Sequence, residues 1–172
     1  NVIGGGDWAQ DRIVVDCVKA WSENEIVEIR SPQATRPWQH VLEPLSGYLN
    51  LAQALETNKS FNGEGLNFGP RAEQDRTVVE LLEDLSTYWH FDSVSDAFTV
   101  TDNIPFHEAG LLKLNCDKAL ALLKWHAALD YQDTIKYTSE WYYNFYKNNQ
   151  TKSIKYIKIT IYFKIKGFWG FG

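Results

Sequence analysis

The chain has 172 residues, 44% of them hydrophobic, enough to bury a sizeable core within one domain or part of a larger one. Its net charge of −5 hides an asymmetry: 22 acids against 11 basic residues precede residue 147, about −11, while Lys147, Lys152, Lys155, Lys158, Lys164 and Lys166 give the end +6. The acidic body argues against nonspecific nucleic-acid binding, which draws its affinity from neutralising phosphates. Cys17 and Cys116 have neither disulfide-framework nor zinc spacing, and no apolar run reaches the roughly 18 to 20 residues of a membrane helix. A soluble body in a reducing cytoplasm is therefore expected, with no metal site.

In chain order, NVIGGGDW reads as a strand end, Val2 and Ile3, running into a glycine turn at Gly4, Gly5 and Gly6. Ile13, Val14, Cys17, Val18 and Trp21 fall at helical spacing, and Val27 to Arg30 reads as a short strand. SPQATRP is a loop by its two prolines. The next helix runs from Val41 to Leu55, with Leu45, Leu49, Ala52 and Leu55 predicted on its apolar face. Leu66 to Phe68 reads as a brief strand, and Thr77 with Glu80 as a capping box opening a helix that carries Val78, Leu81, Leu82, Leu85 and Trp89. A poorly patterned stretch follows, then helices at Asp117 to Leu123 and Tyr131 to Tyr146. Strands alternating with amphipathic helices indicate an α/β fold, yet three strands are few for a doubly wound sheet.

From Asn148 the composition shifts to Lys, Ile, Tyr, Phe and Asn with no acid, and Ile157 to Lys166 alternates with a strand period. That segment reads either as a pairing or membrane-surface strand or as sequence foreign to the preceding domain. The boundaries are thus 1–147 and 148–172. The chain begins with Asn and contains no Met, and is expected to be a piece of something longer.

A search for chemistry finds no GxxxxGK[ST], GxSxG, HExxH or CxxC. The glycine run serves a plain turn as well as a phosphate cradle. TRPWQHVLEP at Thr35 to Pro44 is more informative: an Arg ahead of a helix offers a bidentate fork to a phosphate, or alternatively a surface pair with Glu43.

NVIGGGDW, ATRPWQHVLEPLSGYLNLA, LNFGP and HEAGLLKLNCDKALALLKW together resemble the second half of the CDP-glucose 4,6-dehydratase family, extended short-chain dehydrogenases/reductases acting on sugar nucleotides. The resemblance spans roughly residues 1–146, with Trp38, Gln39 and Glu43 following the CDP-glucose pattern. It implies the carboxy-terminal portion of an extended Rossmann-type fold, an incomplete parallel sheet with a small substrate-binding subdomain. It also implies that Asn1 and Arg36 hold the pyrophosphate of the sugar nucleotide, that Trp8 or Arg12 faces the cytosine, and that His107 and Glu108 touch the nucleotide's outer edge. His40 and Asn67 are read as structural hydrogen-bonding residues near the site.

The resemblance further implies a cytoplasmic, homodimeric lyase with recycled NAD, turning CDP-glucose into CDP-4-keto-6-deoxyglucose for bacterial surface polysaccharide such as O-antigen. Such an enzyme binds NAD at a GxxGxxG turn and removes the sugar proton with a Tyr-x-x-x-Lys helix lying upstream of the NVIG strand. Neither motif is expected in this chain, so no catalytic or cofactor-binding residue is assigned and the chain alone is expected to be inactive. Two alternatives stay open: another nucleotide-sugar epimerase or dehydratase of the same fold, and a noncatalytic binding or interaction module.

Overall fold

A computed structural model describes residues 1–71, 74–101 and 113–147. The elements run β1 (Val2–Ile3), α1 (Ile13–Ser22), β2 (Val27–Ile29), β3 (Thr35–Arg36), β4 (Gln39–His40), α2 (Leu42–Thr57), β5 (Arg76–Thr77), α3 (Val78–Ser86), β6 (Phe98–Val100), α4 (Asp117–Leu123) and α5 (Tyr131–Lys147). The fold is α/β, as expected, with parallel pairing confined to short ladders. β1 pairs with β4 (Val2 opposite Gln39) and β2 with β6 (Val27 opposite Phe98), both parallel, while β3 and β5 pair antiparallel.

α1 forms where its periodicity places it. Val14, Val15, Cys17, Val18 and Trp21 are buried along one stripe, while Asp16 and Lys19 face outward. The stripe meets Ile29 of β2, Leu81, Leu82 and Leu85 of α3, and Ile135 and Tyr142 of α5 in one core. Trp21 is fully buried there, and its indole N–H donates to the Ala97 carbonyl at 2.8 Å, so its polar edge is satisfied. The capping box of α3 is present: the Thr77 hydroxyl accepts from the Glu80 amide at 3.2 Å, and the Glu80 carboxylate accepts from the Thr77 amide at 2.7 Å.

α2 departs from its predicted face. Leu45 and Leu49 are 45% and 68% exposed, and the helix buries Glu43, Pro44 and Gly47 instead. Two contacts fix this orientation. A Cβ on Gly47 would lie 2.2 Å from the Phe68 ring, so only a bare Cα fits that close approach. The Glu43 carboxylate accepts the backbone amides of Ala128 and Leu129, each at 2.9 Å, tying the helix start to the segment before α5. Burial raises the Glu43 pKa in spite of these two bonds.

Other differences concern short elements. Leu66 to Phe68 has no strand; it is held instead by Gln39, whose Nε2 donates to the Phe68 carbonyl at 2.9 Å. The SPQATRP loop contains β3, and the unpatterned stretch contains β6. Among the described residues no helix is long and apolar enough to cross a membrane. The segment from Asn148 onward, with its predicted strand alternation, lies outside the described residues.

Candidate functional site

A cavity of about 480 Å³ opens where β1 ends, α1 begins and β2 ends, with Arg36 and Trp38 lining it as well. In α/β proteins the carboxyl ends of strands and the amino ends of the following helices converge on such a place. Here β1, α1 and β2 follow one another in the chain, so the local topology itself builds the cleft.

Asn1 is fixed by the β1–β4 ladder. Its carbonyl accepts the Gln39 amide at 2.9 Å and its amino group donates to the Pro37 carbonyl at 2.6 Å, while Val41 N–H bonds the Ile3 carbonyl at 2.8 Å. These bonds press Asn1 against the Arg36–Pro37–Trp38 bend, where the Trp38 amide reaches the Arg36 carbonyl at 3.0 Å. Trp38 is almost fully buried, with its indole N–H donated to the Arg76 carbonyl at 3.0 Å. Arg36 is 8% exposed, and one arm of its guanidinium donates to its neighbour's carbonyl, Thr35, at 2.8 Å.

Arg12 lines the same cavity. Asp11, with φ of +59°, turns the chain, and Arg12 adopts an extended conformation at the head of α1. No side chain caps this helix, so its first amides and the positive end of its dipole lie at the cavity, which Ile13, Val14 and Val15 line. Asn1, Arg12 and Arg36 thus line the same cavity.

Three of the six expected substrate residues, Asn1, Arg12 and Arg36, therefore meet in one cavity although up to 35 positions separate them. Trp8 goes elsewhere. Its ring is packed among Trp141, Tyr142, Phe145 and Tyr146 of α5 at centroid distances of 5.0 to 6.1 Å, and it stays 43% exposed. Packing on a helix accounts for its place, which leaves Arg12 as the member of that pair on the cavity. His107 and Glu108 lie outside the described residues.

The surface pairing of Arg36 with Glu43 is not what forms: both residues are buried, and the Glu43 oxygens hold the two amides of the 128–129 segment. His40 is structural. Its Nδ1 accepts the Leu42 amide at 3.3 Å, its ring stands edge-on to Tyr137, and burial lowers its pKa from 6.5 to about 4. Asn67 donates to the Asn115 carbonyl at 3.1 Å on the exterior. The glycine run is likewise a packing feature, since a Cβ on Gly5 would lie 2.0 Å from the Trp141 ring.

Residues not singled out from the sequence also line the cavity, among them Asp16, Glu28, Arg30 and Tyr142. The strand expected from Val27 to Arg30 ends at Ile29, with Glu28 inside it and Arg30 in the bend that follows. A correction concerns the catalytic spacing: Tyr-x-x-x-Lys does occur, at Tyr143 and Lys147, and again at Tyr162 and Lys166 outside the described residues. The first pair packs against Trp89 and does not line the cavity, with Tyr143 partly buried and Lys147 exposed. The Tyr143 ring stands edge-on to Trp89 and His90, and Lys147 Nζ lies 5.9 Å over the Trp89 ring. A Lys engaged with an indole and a Tyr among aromatic rings do not form a proton-abstracting pair at the cavity.

Over 144 residues, 83% of its length, the chain is 45% identical to the CDP-glucose 4,6-dehydratase of Salmonella typhimurium. The chain is a homologue of CDP-glucose 4,6-dehydratase. It spans 39% of that dehydratase. Among solved structures it superposes on the UDP-glucuronic acid 4-epimerase of Bacillus cereus in complex with UDP-glucuronic acid and NAD, with a TM-score of 0.68 at 18% identity over 84% of this chain and 43% of the other. The dTDP-glucose 4,6-dehydratase of Bacillus anthracis, in complex with NAD, gives 0.64 at 16% identity over 83% and 42%. The UDP-glucose 4-epimerase of Thermotoga maritima with UDP-glucose gives 0.64 at 19% over 84% and 44%. The dehydratase homologue therefore carries part of the extended short-chain dehydrogenase/reductase fold. No family model matches the chain.

Proposed function

We propose that this chain is the sugar-nucleotide-binding part of a CDP-glucose 4,6-dehydratase, a lyase whose full length converts CDP-glucose to CDP-4-keto-6-deoxyglucose. The observation that carries the reading is the meeting of Asn1, Arg12 and Arg36 on one cavity, in a chain 45% identical to such an enzyme. The pyrophosphate lies between the two guanidiniums, which offer planar forks matched to its oxygens, with the uncapped amides of α1 behind them. Burial of Arg36 lowers the local dielectric and strengthens that attraction. His107 and Glu108 keep their proposed place at the nucleotide's edge.

The full-length enzyme uses NAD, which takes a hydride from the sugar and returns it. The residues here do not fit the dinucleotide: the chain has no GxxGxxG, and Gly5 is covered by Trp141. The chain's own part is to bind and orient the nucleotide, within residues 1–147 and without the 148–172 segment; the homodimer and the cytoplasmic location are proposed for the full enzyme. Purified chain given CDP-glucose and NAD is expected to show no turnover, and measurable 4-keto-6-deoxy product would overturn that.

A second reading, a UDP- or dTDP-sugar enzyme of the same fold, draws on the bound UDP-sugars of the epimerase structures. Displacement of a labelled nucleotide by CDP, UDP, GDP and dTDP separates the two. CDP is expected to compete best, and Arg36→Gln to weaken every competitor by about tenfold to a hundredfold, the worth of one charge-assisted hydrogen-bond set. Another base competing best would reject CDP.

A further inference from the structure

We infer that Tyr131, the first residue of α5, is a positioning residue for the nucleotide site: its ring holds the Arg76 guanidinium and so keeps a second cation away from Arg36. This rests on the sugar-nucleotide reading above and deepens it, by naming what leaves Arg36 available to the phosphates.

β3 and β5 pair through two residues each, Thr35 opposite Thr77 and Arg36 opposite Arg76. Residues directly opposite in an antiparallel ladder project from the same face, with Cβ atoms about 4.5 to 5.5 Å apart, and like charges placed so repel. A ladder this short has few backbone bonds to set against that repulsion. It nevertheless carries a wall of the cavity: Arg36 and Trp38 both line it, and the Trp38 indole N–H donates to the Arg76 carbonyl at 3.0 Å. Keeping that wall in place requires the two guanidiniums to part.

Separate supports hold them. Arg36 lines the cavity, with one arm on the Thr35 carbonyl at 2.8 Å, whereas Arg76 is not among the cavity residues. The Arg76 Cζ stands 5.1 Å over the centroid of the Tyr131 ring, and one arm donates to the Asp75 carbonyl at 2.9 Å. A guanidinium over an aromatic face is attracted by the ring quadrupole, the more so when the pair is shielded from water. Tyr131 is 3% exposed and shares a core with Trp38, so its ring is fixed in place. The attraction needs the ring face and not the phenol hydroxyl, which separates the role of Tyr131 from any hydrogen bond that it makes.

The test is calorimetric titration of the folded chain with CDP, comparing the parent sequence with Tyr131→Phe, Tyr131→Leu, Arg76→Gln and the double variant Tyr131→Leu, Arg76→Gln. Tyr131→Leu is expected to weaken CDP about threefold to tenfold, the worth of one partly desolvated cation–π contact. Tyr131→Phe and Arg76→Gln should each bind like the parent. In the double variant the released cation is gone, and most of the lost affinity should return, which a ring that only filled the core would not allow. Affinity unchanged in Tyr131→Leu, raised there because Arg76 joins Arg36 on the phosphates, or still low in the double variant overturns the inference while leaving the nucleotide site standing. A second measurement leaves the core untouched: in the NMR spectrum of the folded parent the Arg76 δ-methylene protons should be shifted upfield by the Tyr131 ring and stay so at saturating CDP. An unshifted signal, or one that CDP releases, overturns the inference equally. Absence of CDP binding by the folded parent overturns the sugar-nucleotide reading itself, and this inference with it.

Discussion

His40 and Glu43 lie three residues apart and both are buried, and in each burial favours the neutral form: the His pKa falls and the Glu pKa rises. For His40 the folded value of about 4 lies below the unfolded 6.5, so the unfolded chain binds the extra proton in that window. The associated stability is fully present above pH 6.5 and is lost as pH falls toward 4, up to about 3 kcal/mol. Urea unfolding followed by tryptophan fluorescence at pH 7 and pH 4.5 should register this loss, and His40→Asn should flatten that part of the profile. An unchanged slope in the variant would show that other groups control the acid limb. At this same scale the family motifs singled out Asn1 and Arg36, and Arg12 only as an alternative to Trp8; that the three line one cavity came from the structure. Glu28 and Arg30 were not singled out, since an exposed acid on a short strand and an exposed arginine in the bend after it look like any solvated residues until the cavity brings α1 alongside.

Elements were legible wherever amphipathic periodicity was long enough to average over local noise. α1, α4 and α5 came out within a residue or two of their observed ends, and the Thr77–Glu80 box gave the start of α3 directly, although the helix stops at Ser86 and the expected Trp89 lies in a separate 3-10 turn. β3, β4 and β5 have two residues each and β6 has three, too short for any period to register. α2 was found but turned the wrong way, because its inward face is set by one carboxylate and one glycine rather than by its leucines. Gly47→Ala decides between two opposing effects. Helix propensity favours Ala by up to about 1 kcal/mol. Against it, the new Cβ meets Phe68, whose ring is held between Trp125 at 4.9 Å and Tyr48 at 5.6 Å and cannot easily withdraw. Overpacking of this kind costs about 1 to 3 kcal/mol, so a net loss in the urea midpoint is expected. A gain would mean that the Phe68 cluster is looser than its geometry indicates.

At the scale of the whole molecule, the chain covers 39% of the dehydratase it resembles and about the same share of the epimerase structures it superposes on. Its ladders are correspondingly short, and apolar side chains such as Leu45, Tyr48 and Leu49 stand exposed on α2. The division of labour follows. On the proposed reading the substrate-side contacts gather on the cavity, while the one Tyr-x-x-x-Lys spacing among the described residues packs against Trp89 away from it. The most direct test of the central claim is a ¹⁵N-correlated NMR titration of the folded chain with CDP-glucose, read at the Trp38 indole, the Arg12 and Arg36 side chains, and the amides of Ile13 to Val15. The account expects saturable shifts at these positions and their loss in Arg36→Gln. A spectrum in which the cavity resonances stay still, or in which only α2 and α4 respond, would contradict it.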